Sequence, residues 1–238
     1  MKEREIFSNL TTTLPFVLRL DGRSFHRISK EFIKPYDENF SDYFVNTTLD
    51  LFTKSGLSPN FAYTFSDEIS LYISESVFDC RIEKLNSVAA GFASSAFTLH
   101  AKNHEPIAFD CRVIPISKEQ LPEYLSWRQA EAWRNHMNGY CQKLMIDEGM
   151  SSAAAQKKLD GMNAAALHEL AFSKGINLGT TPAWQRRGIC VYRKTVKREG
   201  FNPKTDEHVL TDRNIAFADK NVPLFKTPEG REWLFEKI

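Results

Sequence analysis

Two carboxylates early in the chain, Asp21 in FVLRLDGRSFHR and Asp67 in FAYTFSDEISLYI, each follow a stretch of apolar, β-branched or aromatic residues. Such stretches read as buried strands, so each acid stands at or near a strand end, where a side chain can leave the core and meet a ligand. If the two strands are neighbours in one sheet, both carboxylates face the same volume. Two anions held in water-poor space require a cation between them, and hard carboxylate oxygens suit magnesium. Gly22 lets a ligand approach the main chain closely. Arg23, Ser24, Phe25 and His26 then offer successive N–H groups of the kind that cradle phosphate oxygens. Taken singly, Asp-Gly and Ser-Asp-Glu are common turn residues. Their joint occurrence is what points to a metal and a phosphorylated substrate, with Glu68 read as a polar turn residue and His26 as a backbone donor.

The elements that must position these acids follow from periodicity. Residues 14–20 read as a strand. Phe40, Phe44, Thr47, Leu51 and Phe52 recur at helical spacing up to Gly56. Residues 61–65 and 69–73 are short strands flanking Ser66, Asp67 and Glu68, a connection short enough to predict a hairpin. Residues 81–102 carry Leu85, Val88, Ala89, Phe92, Ala96 and Leu99 on one helical face, and 109–116 is a further strand containing Arg112. The order β-α-β-β-α-β predicts an α+β, ferredoxin-like (palm-type) core, an antiparallel sheet with both helices on one face. Residues 118–148, 151–159 and 164–173 then read as helices. Residues 189–196 return to strand character, 209–210 and 215–218 as shorter strands, and a helix starts near Pro228. The chain reads as one unit: a palm-like catalytic core over residues 14–117 and a helical and short-strand extension over 118–238.

Bulk properties narrow the class. With 238 residues and 42% apolar content the chain can fill one large core. A net charge of +1 gives no overall basic footprint, so nucleic acid is not coated by charge alone. Cys80, Cys111, Cys141 and Cys190 lie far apart without CxxC spacing, which removes the zinc signal and suits free thiols in a reducing, cytoplasmic setting. The charged start MKEREIFSNL has no apolar leader core, and no apolar run reaches bilayer length, so no membrane partner is expected.

The string RLDGRSFHR, followed by Lys34-Pro35, FSDE, EKL, FDCRV and YLSWRQAEAW, resembles the tRNA(His) guanylyltransferase family and its guanylyltransferase-like 3′–5′ RNA polymerase branch. The resemblance is dense over residues 14–148 and looser beyond. It implies a palm-like fold, two magnesium ions, GTP and ATP as substrates, nucleotide addition at the 5′ end of tRNA, and a tetramer built from dimers. It places the metal ligands on Asp21, the Gly22 carbonyl and Asp67, and the triphosphate cradle on residues 21–26 with Lys34, Ser66, Lys84 and Arg112. Cations dispersed one per element suit a pocket better than a patch, although a lone Lys or Arg is ordinarily a solvated surface charge. One departure stands out. Where eukaryotic members carry His-Ile-Asn-Asn-Leu-Tyr-Asn after SWRQA, this chain has Trp133, Arg134, Asn135, His136, Met137, Asn138 and Gly139. That block accompanies non-templated guanosine addition, so its absence favours the templated, tRNA-repairing branch, with guanosine addition to tRNA(His) kept open beside it.

Arg186, Arg187, Arg193, Lys194, Lys197 and Arg198 form the densest basic run. With Trp184 and Tyr192 interleaved it reads equally as an RNA-following face or a charged strand surface. Two rival classes share the core topology. A nucleotide cyclase would use the same acids, but no GGDEF-type segment is present. An RRM-type binding module would carry central-strand aromatics in an RNP pattern, which no stretch here fits.

Overall fold

Along strand β1 (Phe16–Gly22) Phe16, Leu18 and Leu20 are fully buried on one face, while Val17, Arg19 and Asp21 point to the other. This alternation continues through β2 (Phe61–Phe65), β3 (Glu68–Ile73) and β4 (Phe109–Pro115) and organises the whole molecule. A computed structural model describes residues 1, 4–102, 105–202 and 206–238, without the side chains of 26, 202, 207 and 209. With β5 (Ile189–Asn202) and β6 (Glu207–Asp219), the sheet has six strands in the order β4-β1-β3-β2-β5-β6, every neighbour antiparallel. Its first four strands have the expected ferredoxin-like order, which confirms the palm-type core.

Two helices cover the Leu18 face. The first, α2 (Glu38–Lys54), follows a four-residue helix α1 (Phe25–Ile28) and is capped by Asp37, whose carboxylate accepts from the N–H of Phe40. The second is α3 (Ile82–Ala101). Phe25, Phe44, Phe97 and Phe109 meet edge-on or tilted at 4.7–6.1 Å between these helices and the sheet, geometry that favours aromatic contacts beyond their buried area.

The opposite face is closed as well. Leu121, Tyr124 and Leu125 of α4 (Leu121–Asp147) and Leu234 of α8 (Pro228–Lys237) pack on Val17, Phe61, Tyr63 and Tyr72. An RRM-type module would bind RNA on this face, so its coverage excludes that reading. The second half of α4 makes its own core with α5 (Ser152–Leu159) and α6 (Ala164–Ser173) through Met137, Cys141, Met145, Leu159 and Leu167. A further short helix, α7 (Ala183–Arg187), leads into β5.

The C-terminal strands differ from expectation. In place of one medium strand and two short ones, β5 (Ile189–Asn202) and β6 (Glu207–Asp219) pair along their whole length, although β5 meets β2 only from Ile189 to Tyr192. Residues 193–202 with their partners thus form a two-stranded ribbon beyond the sheet. Polar residues alternate there on both faces because neither face has a core to bury, which hid the pattern from a periodicity reading. The four cysteines are free thiols. Among the described residues no helix is long and apolar enough to cross a membrane.

Candidate active site

Register brings the two acids to one place. Asp21 pairs with Glu68 in the β1–β3 ladder, and the turn between β2 and β3 is only Ser66 and Asp67, with Ser66 in the left-handed region at φ 50. The Gly22 N–H donates to the Asp67 carbonyl across 3.0 Å, and the Ser66 hydroxyl donates to Asp67 Oδ1 across 3.0 Å. Partial burial, and then the nearby Asp21 charge, raise the Asp67 carboxyl above its usual range against the pull of the Ser66 bond. Neither acid is ion-paired to a described basic side chain. Two convergent, uncompensated carboxylates with only oxygen donors fit a hard divalent cation. Gly22 is required by close approach: a Cβ there would lie 2.3 Å from the Phe25 ring, which the aromatic core holds in place.

The stretch expected to cradle phosphate differs in part from the expectation. Ser24 takes a left-handed φ of 60 and α1 begins at Phe25, so the N–H groups of Phe25 and His26 lack intrahelical acceptors, while that of Arg27 donates to the Ser24 carbonyl across 3.0 Å. The Arg23 N–H, however, donates to the Ala108 carbonyl across 2.8 Å, which removes it from the expected donors. Phe25 contributes its backbone while its ring is core, and the His26 side chain lies outside the described residues.

A cavity of about 440 Å³ opens beside Ser66 and takes in Lys34, Tyr36, Phe40, Phe65, Asn138 and Trp184. Asp37 pins the loop that carries Lys34, accepting from the Ile33 N–H as well as from Phe40. Burial lowers the Lys34 pKa. Asn135, Asn138 and Gly139, which stand in the departing block, line this cavity. A second, more open cleft of about 330 Å³ lies against Asp21 and Asp67 and is walled by Arg19, Glu68, Trp127 and Arg128. Arg112 pairs with Arg19 across the β1–β4 ladder and so shares its face, half-exposed and 3.7 Å from Asp110.

Other expected residues are placed elsewhere. Lys84 is in the first turn of α3, which begins at the end of the sheet away from Asp21. It lies over Phe78 at 5.8 Å and lines a separate cleft with Glu83 and Cys111, so it is not brought to the acids. Arg186 and Arg187 are partly buried and donate to the carbonyls of Thr181 and Val222 at 2.8 and 3.1 Å. They tie α7 down instead of lining a basic face. Trp184 meets Tyr36 edge-on at 5.6 Å in the first cavity. Tyr192 is buried with its hydroxyl on Asp219 at 2.9 Å, so neither aromatic is free to stack on RNA along β5. Arg193, Lys194, Lys197 and Arg198 are exposed on the ribbon, alternating between its two faces.

The sequence reading missed Arg19 and Arg128. Both were visible as cations inside periodic segments, Arg19 within the strand that leads to Asp21 and Arg128 within the helix that begins near Leu121. Glu68, read as a turn residue, is buried in an ion pair with Arg128.

Models of two families match the chain: tRNAHis guanylyltransferase over residues 1–117 and the C-terminal domain of the same proteins over residues 119–223. A probable tRNA(His) guanylyltransferase of Drosophila melanogaster is 34% identical over 193 residues, covering 76% of this chain and 67% of that protein. The Schizosaccharomyces pombe tRNA(His) guanylyltransferase is 30% identical, covering 84% of this chain and 81% of its own length. Among solved structures, a bacterial tRNA(His) guanylyltransferase-like protein in complex with ATP superposes with a TM-score of 0.80 at 23% identity, over 100% of this chain and 96% of that one. The Saccharomyces cerevisiae tRNA(His) guanylyltransferase superposes with a TM-score of 0.65 at 26% identity, over 84% and 91%. The bacterial likeness speaks to the fold, while the two family models together span most of the sequence. This chain belongs to the tRNA(His) guanylyltransferase family.

Proposed function

We propose that this chain, a nucleotidyltransferase by family, adds nucleotides to the 5′ end of tRNA in the 3′–5′ direction. The carrying observation is the junction of Asp21, Gly22 and Asp67, with Ser66, the residue before Asp67, lining the cavity that also holds Lys34. In this reading the RNA 5′ phosphate is first activated by a nucleoside triphosphate with loss of pyrophosphate. The 3′-hydroxyl of an incoming nucleotide then attacks the RNA 5′ phosphorus, the phosphoanhydride bond breaks, and the activating nucleoside monophosphate leaves. Asp21, Asp67 and the Gly22 carbonyl would hold divalent magnesium, two ions in all, which lowers the pKa of an attacking hydroxyl and offsets leaving-group charge. Lys34, Ser66 and the N–H groups at the start of α1 hold phosphate oxygens without reacting.

Templated addition to 5′-truncated tRNA is favoured over untemplated guanosine addition. Its support is the cavity wall, where Asn135, Asn138 and Gly139 stand in place of the block found in eukaryotic relatives. Exposed Lys194, Lys197 and Arg198 on the ribbon would meet RNA phosphates. A homotetramer and a cytoplasmic location belong to the same proposal, the latter supported by four free thiols. The test offers tRNA(His) lacking its 5′ guanosine beside a 5′-truncated tRNA of another specificity. Faster extension of the truncated tRNA is expected; extension confined to tRNA(His) overturns the templated reading, and no extension of either overturns the reaction.

A further inference from the structure

The acid pair lines the second cleft, which shares Phe65 and Asn135 with the first, and Ser66 of the first is the sequence neighbour of Asp67. A transfer reaction needs two substrates to meet at one point. The first cleft, with Lys34, Ser66 and an aromatic interior, is suited to the nucleoside triphosphate. The second, lined by the acids themselves, is also walled by Trp127, Arg19 and Arg128.

Trp127 is unusual in that position. It projects from α4 with 51% of its surface exposed, beside one of the most charged parts of the molecule. A tryptophan left half in water next to carboxylates gains little from burial, and nothing in the fold of α4 requires it, because Tyr124, Leu125 and Arg128 supply the contacts on the buried side. What the ring does have is support. The Arg128 guanidinium lies 3.6 Å from its centroid, and that guanidinium is itself held by Glu68 at 2.6 Å, with both ionic side chains nearly excluded from water. Tyr124 meets the ring edge-on at 5.9 Å. Arg19 stands 5.6 Å from the same ring. An indole backed by a locked cation, half exposed and accompanied by a second cation, is the arrangement that stacks a nucleobase and holds its phosphate.

Resting on the proposed reaction, we infer that the second cleft receives the 5′ terminus of the RNA, with its first base stacked on Trp127 and a phosphate oxygen on Arg19. The platform orients the end of the RNA so that its 5′ phosphorus lies over the acids. Glu68 acts at one remove, as the positioning residue that keeps Arg128 flat under the ring.

The test uses the full-length protein with Trp127→Leu and Trp127→Phe, their folding checked by unfolding midpoint. With saturating triphosphate, the KM for a 5′-truncated tRNA should rise about tenfold or more in the Leu variant, the size expected for one lost base stack. The Phe variant should recover most of it. Affinity for a fluorescent ATP analogue should be unchanged in both. Separately, a 5′-phosphorylated acceptor-stem duplex should quench tryptophan fluorescence in the unsubstituted protein and fail to do so in the Phe variant. This second arm involves no turnover, so it reads stacking even where no transfer is detected, whereas inactivity of the unsubstituted protein on every tRNA counts against the reaction alone. An unchanged KM in the Leu variant, loss of analogue affinity instead of RNA affinity, or identical quenching in the Phe variant overturns the inference.

Discussion

Arg128 Nη1 donates to Glu68 Oε2 across 2.6 Å, with only 8% and 10% of the two side chains exposed. The pair joins α4 to the first residue of β3, immediately after Asp67, and so couples the helix on one face of the sheet to the Ser66–Asp67 turn. Burial raises the Glu68 pKa, and the Arg128 charge and hydrogen bond act against that. Glu68 Oε1 and Arg128 Nε have no hydrogen-bond partner among the described residues, so the pair is held by geometry more than by full satisfaction.

Removing one member of such a pair leaves a buried charge uncompensated. Arg128→Met should lower unfolding free energy by roughly 3 kcal/mol in urea titration, and the double variant with Glu68→Gln should recover part of that loss. A double variant no more stable than Arg128→Met would show that the pair does not act as a unit.

Asp67 predicts an opposition between stability and function. Its carboxyl pKa is raised, so ionisation costs the metal-free fold stability: the cost is absent below the unfolded value of 3.8 and grows as pH rises through the higher folded value. Asp67→Asn should therefore raise the thermal midpoint at neutral pH without divalent ions while abolishing transfer. Magnesium should raise the midpoint of the unsubstituted protein and leave that of Asp67→Asn nearly unmoved. A variant less stable than its parent in EDTA would contradict this.

His136 is fully buried in α4, near-parallel to Trp133 with ring centroids 5.3 Å apart and with Nε2 3.1 Å from the Thr181 hydroxyl. Burial is the main reason its pKa falls to about 4. The unfolded chain binds this proton more readily, so stability is complete above the unfolded value of 6.5 and declines as pH falls towards about 4. At pH 4 the loss should approach ~3 kcal/mol. Chemical denaturation across that range should show the decline, and His136→Phe should flatten it; an equal slope in the variant would place the dependence on other groups.

The basic run should divide by burial. Arg187→Ala removes a donor to the Val222 carbonyl and should destabilise the fold by ~1 kcal/mol, with no change in the salt dependence of tRNA binding. Lys197→Ala with Arg198→Ala, both exposed on the ribbon, should reduce the slope of log affinity against log salt by about 1–2 with stability unchanged. The reverse pattern would put the RNA face at α7.

Much of the core was legible because its determinants are local. Alternation in 16–20 and 61–73, helical spacing in 40–52 and 85–99, and the shortness of the Ser66-Asp67 connection each specify an element from neighbouring residues, and their order leaves few ways to close an antiparallel sheet. The meeting of Asp21 and Asp67 follows from that topology. The four-residue α1 and the five-residue α7 were not legible, since so short a helix has no periodicity to detect. The long β5–β6 pairing was hidden because a ribbon without a core has no apolar face.

The sequence by itself determined the βαββαβ order, the two acids at strand ends, and the motifs that mark the family. Tertiary structure alone decided what each cation does. Arg187 and Lys197 are equally basic in the sequence, yet one finds a backbone carbonyl and the other finds water. Arg128 becomes the buried partner of a glutamate 60 positions away, and Lys84 is carried by α3 to the wrong end of the sheet. The physical reason is that strand and helix patterns are set by residues a few positions apart, whereas burial of a charge depends on which distant groups the finished packing brings within a few ångströms.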